Sequence, residues 1–255
     1  MYYVEYLFAR NRVVWYTAIL LLFAATYLIF INNPPRGSSI HVNGNDVLID
    51  GVLVGASWCA VIMASMLSST LNRDHSHLPY IWTRPRRREQ TALAYMLLDV
   101  ATIALSFIIA VGIAALVLAY PPRNHLVTDA ATGAVLLRSL AIPLMFYGLA
   151  EVVTSWSPAP RVGMAVGVLW GGGWIFIILG AVGFQTPIAQ ILSFINLFNP
   201  LAYFPDIHSH GFNIKIAGGT PQMFPIGFAA QTILAYVTFV VGCAVAIYNW
   251  KRMEA

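Results

Sequence analysis

The sequence predicts an all-α integral membrane protein with six transmembrane helices and both termini in the cytoplasm, on three observations. First, the 255 residues are 59% hydrophobic and 9% charged, with a mean hydropathy of +0.72, whereas about a quarter of residues are charged in soluble domains. Second, six apolar runs stand along the chain, at 13–31, 51–71, 91–120, 135–156, 162–184 and 226–250. Each approaches or exceeds the roughly 20 residues that cross about 30 Å of hydrocarbon at 1.5 Å per residue. Lipid offers no partner to a backbone amide, so such spans are helices. Third, Arg and Lys are unevenly shared between the flanks. One set of flanks (1–12, 72–90, 157–161 and 251–255) holds ten of them: Arg10, Arg12, Arg73, Arg84, Arg86, Arg87, Arg88, Arg161, Lys251 and Arg252. The other set holds Arg36, Arg123 and Lys215, with Arg138 just inside the fourth run. Basic residues mark the cytoplasmic side, which puts both ends of the chain and the second-to-third loop there.

Taken in order, the segment MYYVEYLFARNR places Tyr3, Val4, Leu7 and Phe8 on one helical face and Glu5 and Arg12 on the other. It reads as an amphipathic helix along the inner interface, leading into the first span. That first run ends in NNPPRG, with no small-residue cleavage site, and is expected to be a retained anchor. The outer loop that follows carries turn signals at Asn33-Pro34-Pro35 and Asn43-Gly44. Gly51 and Gly55 on the second helix, and Gly163, Gly167 and Gly171 on the fifth, recur every four residues. Such small ridges let helices approach closely, within the chain or against a second copy. Pro143 is expected to kink the fourth helix.

Between helices five and six, PIAQILSFINLFNPLAYFP is apolar, too short to span, and set between Pro187 and Pro205. It reads as one or two re-entrant or interfacial helices on the outer side. The remainder, DIHSHGFNIKIAGGTPQMF, is a polar turn region. The chain shows no repeat and no soluble domain, so residues 1–255 form a single membrane domain.

Three ionisable residues fall inside the spans, where a charge costs at least about 2.5–3.5 kcal/mol at mid-bilayer. Asp99 lies on a stripe with Tyr95, Thr102 and Ser106, and Glu151 on one with Tyr147 and Thr154. These polar faces point into the protein, either lining a translocation path or proton relay, or bonding between helices. Arg138 is 13 residues from Glu151, about 20 Å along the helix, so those two do not pair. Arg138 is expected to extend to the outer boundary.

Cys59 and Cys243 sit in apolar runs and suggest neither a disulfide framework nor a metal site. His75 with His77, and His208 with His210, lack the neighbours that a metal centre needs. No metal, cofactor or catalytic residue is expected in this chain, and no GxxxxGK[ST] loop for ATP occurs. The net charge of +4 resides in loops beside the membrane, which argues against nucleic acid as a partner.

The loop LPYIWTRPRRREQTALAYMLLD concentrates the positive charge. Tyr80, Ile81 and Trp82 offer aromatic and aliphatic anchors of the kind found at interface hot spots, and the arginines suit carboxylates or anionic headgroups. Together with the amphipathic amino terminus, the six spans, the re-entrant segment and the basic end NWKRMEA, this loop resembles the permease subunit of type-2 ATP-binding cassette exporters, with an ABCG-like fold. The resemblance covers nearly the whole chain, with Thr83, Pro85 and Arg86 to Arg88 in the family's places. Ahead of the loop the chain has NRDHSH where family members commonly carry a glutamate and a glycine.

The resemblance implies that Leu78, Pro79, Tyr80, Ile81, Trp82 and Arg84 form a coupling helix against a separate cytoplasmic ATPase subunit, with Arg86, Arg87 and Arg88 beside it. It further implies ATP and Mg in that partner, a second permease copy or similar chain, outward transport, and a bacterial plasma (inner) membrane. The path would be lined by Tyr95, Asp99, Thr102, Tyr147 and Glu151. The rival readings are an integral membrane enzyme acting on lipid, which would need no ATP, and a structural or sensory membrane subunit.

Overall fold

The computed structural model describes residues 2–32, 44–71, 88–119, 132–156, 161–182, 191, 194–203 and 227–252, and among these there is no strand. The first helix, α1, runs over Tyr2–Asn32 without a break. The stretch contains neither Gly nor Pro, so nothing local separates the expected interfacial helix from the first span, and the two are one continuous helix. α2 covers Gly44–Leu71, seven residues more than the apolar run at its start. Gly44, expected in a turn, is instead its first residue.

α3 spans Arg88–Ala119 and α4 Thr132–Trp156, the latter continuing through Pro143. α5 occupies 161–182 in three parts: α-helical Arg161–Val166, π-helical Gly167–Gly172 and α-helical Gly173–Val182. After it come a helical turn at 194–196 and the 3-10 turn Pro200–Tyr203. α6 is Phe228–Arg252.

Three of these helices are long and apolar enough to cross a membrane, over Ala92–Leu116, Leu136–Trp156 and Ala229–Arg252. The apolar stretches Asn11–Thr26, Gly51–Leu67 and Gly163–Leu179 of the other three are shorter. The bundle is built for an apolar surrounding. Leu97, Leu105, Ile108, Leu116, Ile178, Ile233 and Val240 are exposed, while Ser57, Ser65, Thr102, Ser106, Ser139 and Thr154 are buried. Most of these buried hydroxyls donate to a carbonyl one turn back in their own helix: Ser57 to Leu53 at 2.9 Å, Ser65 to Val61 at 2.7 Å, Thr102 to Leu98 at 2.8 Å and Thr154 to Ala150 at 2.8 Å. Each is thereby satisfied without water, the arrangement that suits a helix in lipid.

α2 and α4 are the central pair: α2 packs on α1, α3 and α4, and α4 on α2 and α6. Small residues allow this. Ala56, Ala60 and Ala64 are buried on α2, and Gly55 faces Leu20 and Phe23 of α1. The closest crossing is between α4 and α6. A Cβ on Gly242 would stand 2.5 Å from the Gly148 carbonyl oxygen, and one on Gly148 would stand 2.7 Å from that of Phe239. Those helices run parallel, since Tyr236 donates to the Leu137 carbonyl near their starts and Asn249 to Ser155 near their ends, both at 2.9 Å.

Candidate functional site

Polar side chains from three helices meet in one half of the bundle. Asp99, about a third of the way along α3, is 2% exposed. Its Oδ1 accepts a hydrogen bond from Arg12 Nη1 of α1 at 3.0 Å, an ion pair, and its Oδ2 accepts one from the Tyr147 hydroxyl of α4 at 3.2 Å. Each carboxylate oxygen thus has its own donor, one of them charged, which is how a buried carboxylate is held. Ser106 adds a further tie from α3 to α1 through the Val13 carbonyl at 3.4 Å.

Glu151 lies one turn beyond Tyr147 on α4 and is fully buried, its carboxyl beside the phenol without a hydrogen bond of full geometry. Four polar groups therefore follow one another through the packed interior, Arg12, Asp99, Tyr147 and Glu151. Only Arg12 is substantially open, with 35% of its side chain exposed.

Of the five residues expected along a path, Asp99, Tyr147 and Glu151 come together. Thr102 is buried, but its hydroxyl is occupied by the Leu98 carbonyl, and Tyr95 is half-buried on the same stripe. The sequence reading missed Arg12 as the partner of Asp99, counting it among the flanking charges. The available signal was the need itself, because an acid inside an apolar helix calls for a donor from a neighbouring helix.

At the other end of α4, Arg138 departs from expectation. Its side chain does not extend to a boundary but is 1% exposed, with the guanidinium 5.5 Å from the centroid of the Tyr203 ring. The reason is the segment before α6, whose 3-10 turn Pro200–Tyr203 is buried and covers it. That segment is tied to α5 by two asparagines that the sequence reading also passed over. Asn199 Nδ2 donates to the Gly173 carbonyl at 2.9 Å, where the π-helical stretch returns to α, and Asn196 Nδ2 to the Phe176 carbonyl at 3.5 Å. A Cβ on Gly173 would lie 2.8 Å from both Asn199 Oδ1 and Leu201 Cδ1, so a larger residue there would displace these side chains.

The expected coupling residues Leu78, Pro79, Tyr80, Ile81, Trp82, Arg84, Arg86 and Arg87 lie outside the described residues, as do the histidine pairs. Arg88 is the first residue of α3. Comparison of the chain with protein-family models, with curated proteins and with solved structures finds no match.

Proposed function

We propose that this chain is the six-span permease subunit of an ATP-binding cassette exporter, with both termini and the loop at 72–87 in the cytoplasm. ATP would be hydrolysed by a separate subunit docked on Leu78 to Arg88, and an amphiphilic or polymeric substrate such as a lipid or drug would move outward.

The observation that carries this reading is the tie between α1, α3 and α4. α3 begins at Arg88, at the end of the arginine-rich loop, and Asp99 follows 11 residues later, about 16 Å along the helix. A push on that loop enters α3 and reaches α1 through Arg12 and α4 through Tyr147 as one body. A mechanical load of this kind suits a charged, two-donor contact better than sliding apolar surfaces.

A second copy is the natural partner. The ridge Gly163, Gly167 and Gly171 meets nothing within 4 Å among the described residues, so its capacity for close approach is unused within one chain. In a dimer joined there the substrate path would run between the copies, with Tyr95, Asp99, Thr102, Tyr147 and Glu151 supporting its wall.

The test is flux in proteoliposomes holding this chain together with the ATPase encoded or captured alongside it. ATP-dependent movement of a fluorescent amphiphile is expected. Lipid turnover without ATP would favour the enzyme reading instead.

A further inference from the structure

Beside the packed seam of α1 and α2 lies an open groove of about 780 Å³, lined on α1 by Asn11, Arg12, Trp15, Tyr16, Ile19 and Phe23 and on α2 by Trp58, Cys59, Ile62 and Met66. The α1 residues recur every three to four positions, so they form one face of the helix. From Asn11 to Phe23 that face extends about 18 Å, roughly the depth of one leaflet's hydrocarbon. The groove is accordingly a slot along the bundle, and its size falls within the range of ligand pockets, about 300–1,000 Å³.

Its two ends differ chemically. From Trp15 to Phe23 every lining residue of α1 is aromatic or aliphatic, and Ile62 of α2 is exposed beside them. The other end has Asn11 and Arg12 of α1 with Met66 of α2, and among the described residues no acid lines the groove. The guanidinium carries five N–H donors, and its bond to Asp99 uses one of them. With 35% of that side chain exposed, the rest of the fork is available to an oxyanion. Asn11, itself exposed, adds a neutral amide next to it.

We propose that this groove is a binding site for one glycerophospholipid, with its phosphate on Arg12 and Asn11 and an acyl chain laid along Ile19, Phe23 and Ile62. This rests on the chain being embedded in a bilayer, and holds whether or not the chain is a permease. Arg–phosphate pairing is favoured because the planar fork matches phosphate oxygens, and the mostly aromatic and aliphatic slot accepts an acyl chain. The lipid would then bear directly on the Arg12–Asp99 contact, from the side opposite the carboxylate.

The experiment is native mass spectrometry of the full chain released from nanodiscs that contain phosphatidylglycerol and diacylglycerol with the same acyl chains. One phosphatidylglycerol retained per chain is expected, with diacylglycerol lost. Asn11→Asp introduces a negative charge at the head end while keeping both members of the Arg12–Asp99 pair, and should lower retention about tenfold. Ile62→Trp narrows the slot and should do the same. Equal retention of the two lipids, or retention unchanged in both variants, would overturn the proposal. Flux assays do not enter, so a failure here is distinguishable from a failure of the permease reading.

Discussion

Asp99 holds together three helices with two oxygens, and the consequence is measurable. Replacing either partner of the ion pair leaves the other uncompensated, at a cost of about 3–5 kcal/mol for a fully buried pair. With Arg12 a third exposed, water and headgroups reduce this to about 1–3 kcal/mol. Asp99→Leu and Arg12→Leu should each lower the unfolding midpoint in detergent, and the double variant should recover much of the loss. Strict additivity of the two would contradict a direct coupling. Asp99 itself was legible in the sequence, since an acid in an apolar run, with Tyr95, Thr102 and Ser106 at helical spacing, marks an inward face. Its partner was not, because Arg12 is 87 residues away and shares the signature of every other flanking arginine. Only the packing of α1 on α3 singles it out. Arg138 shows the same limit. A sequence near a span end suggests a side chain stretching to the boundary, and nothing local announces that Tyr203 will cover it.

At the scale of the element, helix existence followed from hydrophobic length, and the ends moved by only a few residues, except at α1, which takes in the expected interfacial helix and starts at Tyr2, and at α2, which starts seven residues before its apolar run. Contacts between helices were harder. The spaced glycines of α5 drew attention, but the tightest crossing depends on Gly148 of α4 and Gly242 of α6, and Gly242 is the centre of a small-residue repeat of its own, Thr238, Gly242 and Ala246, whose outer members are buried. Gly242→Ala would drive a methyl group into the α4 backbone, which neither helix can relieve by a rotamer change. It should destabilise the fold by about 1–3 kcal/mol, read as a lower melting temperature. Gly171→Ala should leave the melting temperature of the monomer unchanged, since its surroundings are open. The π-helical stretch makes a separate prediction. Asn199→Ala removes the donor to the Gly173 carbonyl, so amide exchange over 194–203 should speed up while α4 stays protected. Equal protection in the variant would mean that the asparagine does not hold the segment. Asn196 and Asn199 in an otherwise apolar run were the visible clue, but their receptors are backbone carbonyls of α5 that only folding supplies.

For the molecule as a whole, polar residues inside and aliphatic residues outside describe a bundle whose solvent is lipid, and composition alone conveyed that. The sidedness of the loops came from counting arginines, and the exporter reading from the order of features along the chain, while Tyr80, Ile81 and Trp82 lie outside the described residues. α3 links these, since it starts at Arg88, at the end of the arginine-rich stretch of the sequence, and carries Asp99. The most direct test is ATPase activity of the chain purified in detergent after expression with its candidate nucleotide-binding subunit, compared with a variant carrying Arg86→Glu, Arg87→Glu and Arg88→Glu. The account predicts that the unaltered chain retains the ATPase through purification and stimulates its turnover, and that charge reversal abolishes both while the melting temperature stays the same. A chain that never retains an ATPase, or a variant that stimulates as well as the parent, would contradict it.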